Sequence, residues 1–502
     1  MSRPNLLFIF TDQHRADCLG ITGHPQVQTP HLDSIGDEGI VFENAYCTQP
    51  VCTPSRSTIM TGLYPHNTRC MCNQAPLRRD IQTIAELLPQ GEWESGYFGK
   101  WHLGNEVIGQ HGFEKNWVAT EDHYRNAPLN YTEEDWRQRH SSYHYFLKEK
   151  GLEEDAEADD GYRWFSRGLA CDLPKELGKP AFLAGEVSDF IRRNQDQPFV
   201  AYVNFLEPHS PFWGPFDYMY DPEDLEFDEN FLVEQDETRP LRYRMLSEAR
   251  KWLYEGDPEA YYRRTFGRYL GNVSVVDGAV GRILDTLREC DLEEDTIIIY
   301  TSDHGDQMGA HYLYGKGVQY EESVRIPLLM HIPMIDSPHD RVDAPVSQVD
   351  LVPTLMELLG QEVPEGLDGY SMVPFISDEG PLTEENVFIE WQTQTVFGPA
   401  RDNEDSQWSR EKREHIGRDV GRTIVSPEGW KLTLRERDEN ELYNLKEDPH
   451  ELENLFGQSQ YSDVVEELTA RVESWKERTD DPSPEGIRER QRSVVEAAGL
   501  GD

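Results

Sequence analysis

NLLFIFTDQ, Asn5 to Gln13, is a short and nearly all-apolar run that breaks off at Thr11-Asp12-Gln13. A strand buried on both faces of a parallel sheet reads this way, because helices cover both faces and no position needs to be polar. TIIIY (296–300) repeats the pattern and stops at Thr301-Ser302-Asp303-His304. FVAYVNF (199–205) is a third case, ending just before Glu207-Pro208-His209. Between these runs lie helical patterns such as DGAVGRILDTLR (277–288) and DLVPTLMELL (350–359). Strands alternating with helices predict an α/β fold with a mostly parallel sheet sandwiched by helices. In such sheets ligands sit beyond the carboxyl ends of the strands, and all three runs end in acids or histidines.

The pattern changes along the chain. Residues 116–178 read as an insertion, with an acidic run EEDAEADD (153–160) expected as a solvated loop. The aromatic-rich segment WRQRHSSYHYF (136–146) reads as a helix packing on the core. Near residue 378 the character shifts again. NVFIEW (386–391), RTIV (422–425), WKLTL (430–434) and ELYNL (441–445) read as antiparallel strands, and residues 462–477 have helical periodicity. The expectation is a catalytic domain over 1–378 and a smaller C-terminal sheet-plus-helix domain over 379–502.

Composition narrows the setting. The chain has 502 residues, with 94 acids against 48 bases and a formal charge of -46; only 12 of the bases are lysines. Dispersed acids with arginine favoured over lysine suggest a surface adapted to high salt, where screening removes self-repulsion; acidic patches for a basic partner are the alternative. The charge argues against nucleic acid and anionic membranes as partners, so any anion site must be built locally from arginine, lysine or a metal. Seven cysteines in this length are not a disulfide framework. The start reads as no signal peptide and no apolar stretch is long enough to span a bilayer, which points to the cytoplasm.

Asp12-Gln13 and Asp303-His304 sit at matching strand ends, and adjacent parallel strands would bring the pairs together. Two carboxylates, an amide oxygen and an imidazole suit a divalent cation; each pair alone would pass as a cap or turn. A further stretch, VCTPSRSTIMTG (51–62), places Cys52 just ahead of a helix started by Pro54 and Ser55 and ended by Gly62. Free N–H groups there favour an anion, so Cys52 is an activated nucleophile, a metal ligand or a buried structural thiol.

Cys52-Thr53-Pro54-Ser55-Arg56 followed by Met60-Thr61-Gly62 resembles the signature of the type I sulfatases of the alkaline phosphatase superfamily. In that family a cysteine-x-proline-x-arginine pattern is read by a formylglycine-generating enzyme, which oxidises the cysteine to formylglycine. FTDQHRAD (10–17), GYFGKWHLG (96–104), FLEPHSPF (205–212), TSDHGDQMGAHYLYGKG (301–317), VDLVPTLMELLG (349–360) and ELYNLKEDPHELENL (441–455) resemble the family in the same order. Residues 116–178 match least. The resemblance implies an alkaline-phosphatase-like fold. It implies one divalent metal, calcium most often and magnesium or manganese in some members, on Asp12, Gln13, Asp303, His304 and the modified Cys52. It assigns Lys100 and Lys316 to the sulfate oxygens, His102 to the formylglycine, His209 to the leaving oxygen and Arg56 to holding the modified side chain.

The implied reaction hydrolyses an organic sulfate ester of a small molecule or carbohydrate. Hydrated formylglycine attacks sulfur, His209 with Lys316 protonates the leaving alcohol, and His102 draws a proton from the second hydroxyl so that sulfate is eliminated. Many relatives have aspartate where this chain has Gln13 and asparagine where it has His304. Relatives sharing Gln13 and His304 include hydrolases of phosphonate monoesters and phosphodiesters, which is the alternative activity; Lys100-x-His102 favours sulfate. A non-catalytic metal-dependent binding protein is a third reading, opposed by the complete residue set.

Overall fold

The structure is a computed structural model that describes residues 3–73, 75–122, 139–158, 161–249, 256–392 and 407–497. Its centre is an eight-stranded sheet in the order Arg341–Val342, Ile40–Phe42, Leu328–His331, Thr296–Ser302, Asn5–Asp12, Phe199–Pro208, Glu94–Gly99, Trp117–Val118. Neighbours are parallel except around Leu328–His331, which runs antiparallel to both its partners. The three apolar runs are the three adjacent central strands. Thr11 pairs with Ser302 on one side and with Phe205 on the other.

The absence of polar alternation follows from the two cores. Leu6, Phe8 and Phe10 face one core, with Ile59 and Met60 of helix Cys52–Thr61 and with Leu351 and Leu355 of helix Leu351–Leu358. Leu7 and Ile9 face the other, with Phe182 and Phe190 of helix Lys179–Arg193 and with Val276 and Ile283 of helix Pro258–Glu289. Each fully buried side chain of this kind contributes about 1.5–3 kcal/mol, so both faces drive the strand inward.

Helix Pro258–Glu289 is far longer than the 277–288 pattern. Asp257 caps it by accepting from the Ala260 N–H at 3.0 Å, and Pro258 suits its first position. Its first half buries Phe266, Tyr269 and Leu270 in a separate cluster with Phe212 and Tyr220, which blurs a single amphipathic stripe.

A second, antiparallel sheet has the order Val387–Trp391, Gly421–Val425, Trp430–Arg435, Glu441–Asn444. Helix Ser462–Arg478 lays Leu468, Val472 and Trp475 on Phe388, Ile424, Leu432 and Leu442. Tyr64 and Val349 join that core, so the two sheets are packed together.

The stretch 116–178 departs from its reading in part. Trp117–Val118 is the edge strand of the large sheet. The acidic run is not simply a loop: Ala156–Glu157 pairs with Arg163–Trp164, and Asp155 accepts from the Ser166 N–H and hydroxyl at 2.7 and 2.5 Å. Its carboxylates are used as local acceptors, which a charge count does not reveal; 159–160 lie outside the described residues. The aromatic segment does form a helix, Ser142–Glu149, with Tyr143 and Leu147 in the core, while 136–138 lie outside the described residues. All seven cysteines are free. No helix among the described residues is long and apolar enough to cross a membrane.

Candidate active site

The central strands deliver their polar ends to one place. Parallel register carries Asp12 and Asp303 out side by side. Gln13 turns the chain with φ 78°, in the left-handed region, and its N–H donates to Asp303 Oδ1 at 3.0 Å. The Gln13 side-chain amide donates to Asp306, which leaves its oxygen Oε1 to accept from the Lys316 ammonium at 2.8 Å. His304 Nδ1 lies 3.0 Å from the Gly305 carbonyl. A proton on Nδ1 makes that hydrogen bond and leaves Nε2 as a bare acceptor, 3.4 Å from Asp303 Oδ1 and 3.8 Å from Asp12 Oδ1.

Cys52 meets them from the covering helix. The sequence places it just ahead of that helix; the structure makes it the first helical residue, after an extended Val51. The Ser55 N–H already donates to the Val51 carbonyl at 3.1 Å, and Pro54 falls where an N–H would have no helical partner. Gly62 closes the helix at φ 69°, in the left-handed cap its sequence position predicts. The Cys52 Sγ lies 3.0 Å from Lys316 Nζ, 3.5 Å from His304 Nε2 and 3.7 Å from Asp12 Oδ1. Burial and Asp12 push the thiol up, but Lys100, Lys316 and the His304 contact outweigh them and bring it to about 7.

Arg56, one turn along, is fully buried. It donates to Asp303 Oδ2 at 2.9 Å, Asp12 Oδ2 at 3.0 Å, and the Lys100 carbonyl and Asn204 Oδ1, both at 2.8 Å. The guanidinium therefore grips the two carboxylates. Lys100 Nζ also donates to Asp12 Oδ2. Burial raises the Asp12 carboxyl, yet Lys100, Lys316 and Arg56 hold it well below the usual carboxylate range.

Lys100 follows Gly99, whose φ is 113° and where a Cβ would lie 1.8 Å from the Asn204 carbonyl oxygen; no side chain fits there. Beyond it, the Trp101 and His102 N–H groups donate to the two oxygens of Glu106 at 2.8 and 2.7 Å. His102 is buried, and burial, Lys100 and Arg56 hold its imidazole well below the usual histidine range. His209, just past Phe199–Pro208, is half-buried, and burial and Lys316 hold it low as well. Its Nδ1 lies 2.8 Å from the Ser210 carbonyl.

Hence Asp12, Gln13, Cys52, Lys100, Asp303, His304 and Lys316 form one contact network with Arg56. His102 and His209 belong to the same electrostatic neighbourhood through Lys100 and Lys316. Sequence reasoning missed Asn204, Glu106 and Asp306, which position Arg56, the Lys100–His102 turn and Gln13. Asn204 had a signal, as a lone amide inside an apolar strand.

The chemistry of the donor set fits a divalent cation. Acceptor atoms of Asp12, Cys52, Asp303 and His304 all lie within 4.8 Å of one another. The Lys316 ammonium is shared by Gln13 Oε1, Cys52 Sγ and, at 3.5 Å, Asp12 Oδ1, so the acceptors already converge on positive charge.

A sulfatase family model matches residues 4–361, the part that holds every one of these residues. The chain belongs to the sulfatase family. Over 493 residues it is 29% identical to an uncharacterized sulfatase of Escherichia coli strain K12, covering 96% of this chain and 89% of that one. It is 25% identical over 543 residues to an N-acetylglucosamine-6-O-sulfatase of Bacteroides thetaiotaomicron, covering 96% and 88%. The solved phosphonate monoester hydrolase of Agrobacterium radiobacter superposes with a TM-score of 0.72 at 25% identity, over 95% of this chain and 96% of that one. This sulfatase is thus a sulfuric ester hydrolase on an alkaline-phosphatase-like scaffold.

Proposed function

We propose that this sulfatase cleaves the sulfate ester of a carbohydrate or another small alcohol, with formylglycine made from Cys52 as nucleophile. The observation that carries the reading is the convergence on the Cys52 Sγ of Lys316, His304 and Asp12. Asp12, Gln13, Asp303 and His304 would hold the metal, and their oxygen-rich set suits calcium, magnesium or manganese. When bound, the cation supplies positive charge to the nucleophile and to the sulfate oxygens.

The chain's own groups do the rest. Arg56 fixes both carboxylates. Lys100 and Lys316 lie beside the residue-52 side chain, where the transferred sulfate would sit, and stabilise the charge that builds on its oxygens. His102, held neutral, is a base at working pH. His209 is neutral in the free protein because of burial and Lys316; the anionic ester offsets that positive field and lets it carry the proton to the leaving oxygen. Residues 1–378 would carry catalysis, with 379–502 a smaller unit packed against them. The net charge of -46 suits a high-salt cytoplasm.

Sugar sulfates are favoured because a relative of nearly full coverage is an N-acetylglucosamine-6-O-sulfatase. Phosphonate monoester or phosphodiester cleavage is the second reading. It is supported by Gln13 and His304 in the ligand set and by the likeness to a phosphonate monoester hydrolase. Peptide mass spectrometry of residue 52 after co-expression with a formylglycine-generating enzyme tests the nucleophile. Relative kcat/KM on nitrophenyl sulfate, a nitrophenyl phosphodiester and a nitrophenyl phosphonate, at high salt, tests the ester. A phosphonate preference would reverse the two readings, and a protein carrying formylglycine but inert on the whole panel would count against catalysis.

A further inference from the structure

A second set of ligand-type side chains follows the edge strand Trp117–Val118 and runs into helix Ser142–Glu149. Asp122, His140 and His144 bring a carboxylate oxygen and two imidazole nitrogens within 4.8 Å of one another. His144, in helix Ser142–Glu149, is 3% exposed. Its Nε2 lies 3.4 Å from Glu154 Oε1. Its Nδ1 faces Asp122 Oδ2 at 3.6 Å and makes no hydrogen bond. Asp122 is pinned by the Ser141 N–H at 2.7 Å and hydroxyl at 3.1 Å. His140 Nδ1 is 3.9 Å from Asp122 Oδ1, and the His140 and His144 rings stack with centroids 3.7 Å apart. The Tyr162 hydroxyl is 2.7 Å from His140 Nδ1 and 3.3 Å from Asp122 Oδ1.

A buried ring nitrogen that faces a carboxylate without a hydrogen bond is an unmet polar group, which a cation shared with that carboxylate satisfies. Donor atoms 3.6–3.9 Å apart are close to the roughly 3.4 Å that two ligands about 2.1 Å from a tetrahedral ion would have. A carboxylate on the far nitrogen of a ligating histidine is the usual outer support of such a site. We propose that Asp122, His140 and His144 bind a second divalent cation, with His144 ligating through Nδ1 and Glu154 orienting it. Two imidazoles and one carboxylate select zinc or another late first-row ion, in contrast to the oxygen-rich strand-end set. Asp122 and His140 flank residues 123–138 in the sequence, so an ion held by both ties the two ends of that stretch together.

The test is metal content of the full chain after equilibration with limiting Zn2+ and removal of unbound ion, for wild type, His140→Asn, His144→Ala and Asp303→Asn. Wild type and Asp303→Asn should each keep about one zinc that His140→Asn and His144→Ala lose. Added Zn2+ should raise Tm in the first pair and not in the second. His140 is 19% exposed, so its asparagine variant removes a ligand without hollowing the core and guards against misfolding of His144→Ala. The proposal is overturned if the histidine variants retain as much zinc as wild type, or if the only zinc bound is lost in Asp303→Asn.

Discussion

Arg56 and Arg422 are both buried, and both spread a guanidinium over carboxylates and backbone carbonyls, yet they leave different things behind. Arg422 takes both oxygens of Asp481, at 2.7 and 2.6 Å, and adds the Gly421 carbonyl at 2.7 Å. Asp481 lies 3.8 Å from His66, which pairs with Glu390 and the Thr479 carbonyl. That cluster joins the second sheet to the first and uses its oxygens internally. Arg56 instead takes one oxygen from each of two carboxylates, Asp12 Oδ2 and Asp303 Oδ2. The other oxygen of each faces His304, and Asp12 Oδ1 also faces Cys52 and Lys316. Three cationic side chains, Arg56, Lys100 and Lys316, thus meet two carboxylates, Asp12 and Asp303. Buried charge by itself does not mark a site; two carboxylates that each turn an oxygen toward the same imidazole nitrogen do.

The sharpest way to break this contrast is at Cys52. Cys52→Ala should cut turnover by at least about 10⁴-fold, the scale on which removal of a nucleophile acts, while the urea midpoint stays near wild type. Cys52→Ser should form the sulfated enzyme once and stall, because it has no second hydroxyl to expel sulfate; steady multiple turnover by the serine variant would sink the double-displacement reading. Next in size is Arg422→Met. It strands the Asp481 carboxylate and should lower unfolding free energy by about 3–5 kcal/mol, with kcat/KM within twofold of wild type. If Arg422→Met silences the enzyme while it is still folded, the two clusters are not separate.

Much of this was legible before any coordinates, for a physical reason. A strand covered on both faces has no freedom to alternate, so NLLFIF, FVAYVNF and TIIIY declared a parallel sheet, and their polar ends declared where it opens. The C-terminal strands were equally readable because each is short, apolar and bounded by turn residues. What stayed hidden is set by contacts across long sequence distances. Nothing local in WHLGNEV marks Glu106 as the acceptor for two N–H groups of the Lys100–His102 turn, and nothing near Asp306 marks its hold on Gln13. The start of helix Pro258–Glu289 was masked because its first half packs on a cluster of its own.

Glu106 offers a third, smaller test. Burial raises its carboxyl to about 7, against the pull of the two N–H groups. Glutamine keeps the shape but turns an N–H2 toward one of those donors. Glu106→Gln should lose about 1–3 kcal/mol of transition-state stabilisation, or roughly 10–100-fold in kcat/KM, and weaken inhibition by free sulfate in parallel, since Lys100 is the group that moves. A pure loss of Tm with kcat/KM unchanged would make Glu106 structural only.

The smallest effect sets a third buried cluster, around Glu451, against the strand-end site by the sign of its pH dependence. Glu451 accepts from the Glu321 N–H at 2.7 Å and meets Lys431 at 2.9 Å. Burial pushes its carboxyl up, Lys431 pulls back, Glu321 and Glu322 add to the rise, and the result is about 8 against an ordinary 4.5. The folded state therefore keeps a proton that the unfolded chain releases, so this group's contribution to stability falls as pH rises from about 4.5 to about 8. Asp12 runs the other way. Its carboxyl, raised by burial but held well below the usual range by Lys100, Lys316 and Arg56, contributes stability above the ordinary carboxylate pKa that is lost only as pH falls below it. Glu451→Gln should flatten the decline of Tm between pH 5 and 8 (the window set by the shift of Glu451) without changing activity or the acid limb below it. If the decline persists in Glu451→Gln, the proton belongs to another acid of that cluster, and Glu322→Gln, whose carboxyl burial also raises, becomes the variant that should remove it.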